Sequence, residues 1–184
     1  LPDMGEPVLK GKKPEDFRFT SLSGTGFVDV IDDVADFKTM DNALDSVGLS
    51  DNEKAELYSI LAALLHLGNV EMSGEDTIIV TPDTEPMLRA AEKLLGIGNI
   101  QQLSLEKVVT SPRSASEYHI ALDRQAARNQ LDALVKHLYQ VLFELIVQKI
   151  NVQIASDKDF HRFIGLLDIV GFEVFQTNSF EQLC

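Results

Sequence analysis

The residues with the strongest claim to chemistry lie near the carboxyl end. Asp168 and Gly171 are spaced Asp-x-x-Gly, directly after the apolar run Phe163-Ile164-Gly165-Leu166-Leu167. A continuous apolar run that ends in Asp and Gly reads as a buried strand of a parallel sheet, followed by a tight turn. A carboxylate at the carboxyl end of such a strand can reach a phosphate-bound Mg²⁺ through water. Glycine has no Cβ, so its backbone N–H comes close enough to bond a terminal phosphate. Open α/β sheets bind ligands at that end of their strands. Asp-x-x-Gly is also an ordinary turn sequence, so its meaning depends on what surrounds it.

The remaining titratable residues form no second constellation. His66 precedes Gly68 at an expected helix end, where a capping or packing histidine favoured by the helix dipole is the reading taken over metal or acid–base chemistry. His119, His137 and His161 are scattered without ligand spacing. Glu71, Glu75 and Asp76 read as a solvated acidic loop. Phe172 and Phe175, beside the Asp-x-x-Gly turn, read as core residues that would also couple the turn to whatever follows it. Cys184 is the sole cysteine, which excludes an internal disulfide and a cysteine-rich zinc site.

The chain has 184 residues, 45% hydrophobic and 24% charged, enough for one domain or one large piece of a bigger one. Its net charge of −13 disfavours nucleic acid and anionic membranes as partners. It contains no apolar run of about 18 residues, so no membrane span is expected. The first residues carry neither an initiator Met nor the basic and apolar regions of a signal peptide, and the last fall inside an expected helix; both ends read as cuts in a longer chain.

Several elements must position these residues. Residues 1–16, rich in Pro, Gly and Lys, read as loop. Phe17-Arg18-Phe19, a Ser-Gly-Thr-Gly turn and the apolar residues Phe27, Val28 and Val30 follow, before a helix over about 34–47 that Gly48 ends. Ser50 with Glu53 three residues later has capping-box spacing, and predicts a helix whose face is Leu57, Ile60, Leu61, Leu64 and Leu65. Gly68 is expected to stop it with positive φ. A short strand at 76–80, a helix at 85–95 ended by Gly96, a helical stretch at about 100–109 and a loop at 110–122 come next. The longest helix, about 124–154, carries an apolar stripe from Ala127 through Leu131, Val135 and Leu142 to Ile150, and spans about 45 Å. Asn178 or Ser179 would cap a last helix.

Leu167-Asp168-Ile169-Val170-Gly171-Phe172-Glu173-Val174-Phe175, then Asn178-Ser179-Phe180-Glu181-Gln182, is similar to switch II and the start of the relay helix of myosin motors, L-D-I-x-G-F-E-x-F followed by N-S-F-E-Q. Other stretches agree in order. Leu64-Leu65-His66-Leu67-Gly68-Asn69 resembles the family's I-L-H-L-G-N. Asp132-Ala133-Leu134-Val135-Lys136 with Tyr139, Leu142 and Phe143 resembles D-A-L-A-K-x-x-Y-x-x-L-F. Residues 22–37 resemble L-x-Q-S-G, a spacer and D-D-A-x-D-F. The resemblance covers about residues 17–184. Leu131 departs from it, because the family usually has Arg before D-A-L-A-K, and Ser23-Gly24-Thr25-Gly26 keeps the turn but not the letters.

The resemblance implies a mixed α/β, mainly helical piece of a myosin-type P-loop NTPase motor. Residues 1–16 would be a linker, 17–160 the helical upper actin-binding subdomain, and 161–184 a central-sheet strand, switch II and the start of the relay helix. It implies ATP and Mg²⁺ as cofactors, with Asp168 holding Mg²⁺ through water, the Gly171 N–H on the γ-phosphate, and Glu173 paired with a switch I arginine. The phosphate loop and switch I do not occur in this sequence, and the resemblance implies the rest of the same motor as a partner. It also implies actin filaments as a partner, through the loop upstream of Asp132. Counting back gives Ser116, with Glu117 beside it as the favoured contact, and Arg113 facing acidic actin. The implied location is the cytoplasmic cytoskeleton. Two rivals are a non-motor actin-binding or scaffold module without ATPase activity, and a GTPase-like switch protein sharing only Asp-x-x-Gly; the agreement around His66–Asn69 and Asp132–Tyr139 argues against the second.

Overall fold

The computed structural model describes residues 9–22, 24, 26, 28–110, 117–155, 162, 164–168, 175 and 178. The chain divides into two units, Leu1–Ile154 and Ala155–Cys184.

The first unit is mainly helical. A short 3₁₀ turn at Pro14–Asp16 leads into α1 (Arg18–Ser21), so part of the expected amino-terminal loop is wound. α2 (Asp33–Ser46) starts at an Asp32 cap that accepts from the Ala35 N–H, and Gly48 beyond it has φ +83°. α3 (Asp51–Gly68) carries the expected capping box: the Ser50 N–H donates to Glu53 Oε2 at 2.8 Å and the Glu53 N–H to Ser50 Oγ at 3.4 Å. Its burial is broader than the predicted stripe. Leu57 and Leu64 are buried and Ile60, Leu61 and Leu65 half-buried, while Ala63 and Leu67 on another side are fully enclosed. A helix wrapped by neighbours loses its polar face, and α3 is the central rod of this unit.

Gly68 does not stop α3 by left-handed geometry. It is the last helical residue, Asn69 is the C-cap, and the Asn69 N–H bonds His66 O at 3.0 Å. A Cβ at Gly68 would meet the Phe19 ring at 2.6 Å, so the glycine makes room for α1. The expected strand at 76–80 shrinks to β2 (Ile79–Val80), antiparallel to β1 (Met72–Ser73). α4 (Glu85–Leu95) ends as expected, with Gly96 at φ +67°.

The next stretch differs more. α5 (Ile100–Leu105) is shorter than predicted and passes without a linker into β3 (Glu106–Thr110). β3 pairs antiparallel with β4 (Glu117–Ala121), from Glu106↔Ala121 to Thr110↔Glu117. The stretch read as helix end and loop is thus largely a two-stranded ribbon. Val108, Val109, Thr110, Tyr118 and Ile120 are β-branched or aromatic and favour a pleated surface over a helix. Every residue of β4, and all of β3 after Glu106, is exposed.

α6 (Arg124–Ile154) has the predicted bounds. Its first free N–H groups are met by Asp123, whose carboxylate accepts from Ala126 N at 2.8 Å. Ala127, Leu131 and Val135 enter the main core with Leu67, Val70, Leu88 and Ile100. Leu142 joins a second cluster with Leu44, Leu49, Leu57 and Tyr58. Further along, Leu145 is 50% exposed and Ile154 71%.

In the second unit the described residues 164–168 form no strand, and Ile164, Leu166 and Leu167 are almost fully exposed. A parallel strand needs hydrogen-bonded neighbours, and among the described residues none pairs with this run. The Asn178 side chain bonds the backbone of Phe175 from both ends: its Oδ1 accepts from Phe175 N at 2.9 Å and its Nδ2 donates to Phe175 O at 2.6 Å. Ser179 and the expected last helix lie outside the described residues.

Candidate functional site

Of the residues marked for phosphate chemistry, Asp168 is described and exposed, while Gly171 and Glu173, with neighbouring Phe172, lie outside the described residues. Of the residues marked for actin, Arg113 and Ser116 lie outside them. Glu117 opens β4, exposed and opposite Thr110. Asp168 and Glu117 fall in separate units.

His66 and His119 are placed as structural groups. His66 is buried with its ring edge-on to Phe17, centroids 6.0 Å apart. His119 Nδ1 lies 2.9 Å from Glu106 Oε2 on the ribbon, and that bond, followed by one from Gln102, holds the Glu106 carboxyl below its usual range. His137 is exposed, and His161 lies outside the described residues. Glu71, Glu75 and Asp76 are exposed. Among the described residues, no three His, Cys, Asp or Glu side chains gather as a metal cage.

Two residues of the matched motifs, Asn69 and Asp132, meet in one polar clamp. Arg18 grips Asp132 with two nitrogens, at 2.7 and 3.0 Å. Arg128 bonds the same carboxylate and also reaches Val70 O at 2.5 Å. Burial pushes the Asp132 pKa up, but the two guanidinium groups outweigh it and hold the carboxyl below its usual value. The Asp132 hydrogen bond in turn raises Arg18. Asn69 completes the clamp: its Oδ1 accepts from Arg18 N at 2.7 Å and its Nδ2 donates to Asp16 O at 2.6 Å. Asn69 and Asp132, one from each matched motif, therefore fasten the 14–21 segment across α3 and α6. An open apolar groove of about 900 Å³, lined by Phe19, Leu61, Leu64, Leu65 and Val135, runs beside this clamp.

A second polar knot holds α2. The Lys54 side chain, 8% exposed, lies 2.5 Å from Asp45, 3.3 Å from Asp41 and 3.6 Å from Asp51. Tyr58 donates to Asp41 at 2.6 Å. Burial, then the Asp41 hydrogen bond, pushes the Tyr58 pKa up to about 12. The Asp45 bond outweighs burial at Lys54 and raises its pKa. The sequence carries a signal for this knot: Asp41 and Asp45 are spaced i,i+4, as are Lys54 and Tyr58, so two helix faces present matched pairs.

The order of the matched motifs on a mainly helical scaffold is that of a motor domain of the myosin-head type. The profile of the myosin head (motor domain) family matches residues 4–184. Unconventional myosin-Vb of Mus musculus is 37% identical over the whole chain, which covers 10% of that protein. Myosin-7 of Arabidopsis thaliana is 38% identical over the whole chain, covering 11% of it. Myosin-1 of Coprinopsis cinerea is 37% identical over 93% of the chain and 14% of its own length. This chain therefore belongs to the myosin motor-domain family. It spans about a tenth of the length of the relatives it matches over its whole extent.

Proposed function

We propose that this chain is part of a P-loop NTPase motor that couples ATP binding and hydrolysis to movement on actin filaments in the cytoplasmic cytoskeleton. The observation that carries this reading is the family match through residue 184, which includes the Asp168-x-x-Gly171-Phe172-Glu173 element. Residues 17–160 are assigned to the upper actin-binding subdomain, and 161–184 to the sheet strand, switch II and the start of the relay helix. The remaining catalytic loops are assigned to other parts of the same motor.

Within this reading each residue has one role. Asp168 offers a hard carboxylate oxygen, the donor type that suits Mg²⁺. It is exposed, and among the described residues no three acidic or His side chains gather as a cage, so a role through bound water fits better than direct enclosure. Mg²⁺, when bound with the nucleotide, neutralises phosphate charge. Asp168 would hold Mg²⁺ through water, the Gly171 N–H would bond the γ-phosphate, and Glu173 would pair with a switch I arginine to close the site behind the attacking water. A change at the γ-phosphate then orders or releases this segment, and the relay helix carries the change outward. The ribbon bearing Glu117, with Arg113 and Ser116 in the connection before it, is assigned to actin. Its exposure on both faces supports that role.

The test is Gly171→Ala in the full-length parent. The added methyl hinders the close backbone approach, so the quenched-flow phosphate burst should fall while nucleotide binding persists. A burst of normal size would remove Gly171 from this role. Loss of ATP turnover in the unmutated parent, with actin binding retained, would favour the non-motor module instead.

A further inference from the structure

We propose that Gln130 is the positioning residue that aims the β3–β4 ribbon. The ribbon has no covered face, so packing along its length cannot fix its direction. Its direction must come from its root, where α5 runs into β3 and β4 runs into α6 with only Leu122 and Asp123 between.

Besides Gln130, three kinds of contact lie at or near that root. Leu105 and Leu122 pack against the main core, and the Leu122 N–H bonds Leu105 O at 2.9 Å. These fix where the ribbon is attached, but at one level of the chain they act as a hinge. The His119–Glu106 pair lies within the ribbon and moves with it. Gln102, on α5, reaches the Glu106 carboxylate at 3.3 Å, between two flexible side chains.

Gln130 differs from all of these. It stands on α6, and its one amide group donates to Leu103 O on α5 and to Glu106 O, the first residue of β3, at 2.9 Å. Leu103 O is among the last carbonyls of a helix, which have no partner within it. Glu106 O lies just past the point where helix becomes strand. A single NH₂ group thus bridges both sides of the joint and ties them to the longest helix. The two N–H donors of one planar amide have fixed directions, so satisfying both carbonyls sets the angle between strand and helix. That this angle matters for actin rests on the reading proposed above, which puts Glu117 on the ribbon at the filament.

The test measures direction and partner binding separately. In the 184-residue chain with Cys184→Ser, nitroxide labels at Tyr118→Cys and His137→Cys, both exposed positions, report the ribbon-to-α6 distance by pulsed EPR. Gln130→Glu keeps the shape and removes both donors. Its distance distribution should broaden and shift relative to the parent's. Cross-strand amides of 106–110 and 117–121 should remain protected from exchange in both. If Gln130→Glu does not fold, Gln130→Met provides the same loss of donors. An unchanged distribution overturns the proposal, and so does loss of cross-strand protection, which would mean that Gln130 holds the ribbon together and does not aim it. In the full-length parent, Gln130→Glu should lower actin activation and leave basal ATPase unchanged. A shifted distance with unchanged actin activation would keep Gln130 as the aiming residue and remove the ribbon from the actin interface.

Discussion

Gly68→Ala, combined with Phe19→Leu, tests why this glycine ends α3. If Gly68 served only as a helix terminator, alanine would act locally and ignore Phe19. The structure gives the opposite expectation. An added Cβ would lie 2.6 Å from Phe19 Cε2 and 2.7 Å from Cδ2, closer than non-bonded carbons tolerate. The backbone that carries the ring is held on both sides, because Phe17 is buried against His66 and Arg18 is fastened to Asp132. Forcing extra volume into a packed site costs about 1–3 kcal/mol. Alanine gains up to about 1 kcal/mol over glycine in a helix. Gly68→Ala alone should therefore destabilise by about 0–3 kcal/mol. In the Phe19→Leu background the clash is relieved, and the same change should become neutral or stabilising by up to about 1 kcal/mol. The coupling between the two positions, read from urea unfolding of the four proteins, should be about 1–3 kcal/mol. Additivity within about 0.5 kcal/mol, the behaviour of independent sites, would refute the packing argument.

Two further outcomes follow from the same structure. Leu131 is 1% exposed in the main core, so Leu131→Arg, which restores the letter usual in the family, should cost at least about 3–5 kcal/mol by leaving a buried charge unpaired; a urea midpoint equal to the parent's would show that this face of α6 is not core. Lys149, 2.5 Å away, and then the Ser50 groups depress the Glu53 pKa from its ordinary 4.5 to about 2. The ionised form is thus favoured in the folded state, so its stabilisation is complete above pH 4.5 and is lost as pH falls through about 2. Glu53→Gln should flatten the unfolding midpoint across that window, and a midpoint–pH curve that superimposes on the parent's would refute the coupling.

The elements that the sequence announced are those whose causes are local. The Ser50–Glu53 box and the Gly96 terminator each depend on residues within a few positions, and both form as read. The elements that it hid depend on distant partners. Gly68 answers to Phe19, and Lys54 to Asp41 and Asp45 on another helix. The β3–β4 ribbon exists because two short β-prone runs find each other across the tip. Either run by itself has the apolar spacing of a helix end or a loop.

The candidate site was legible in a different way, through the order of motifs. That order identified the family, but it could not say what each matched residue does. Asn69 and Asp132 entered as markers of resemblance, and the structure gives them mechanical work, clamping the 14–21 segment to two helices. Leu131 entered as a departure from the family, and its place in the core explains why an apolar residue suits this chain. The run 164–167 entered as a buried strand, yet here its side chains are exposed. Apolar sequence states only a demand for burial. Meeting that demand takes neighbouring strands on either side, and a sheet that is built from segments far apart in a chain cannot be read from any one of them.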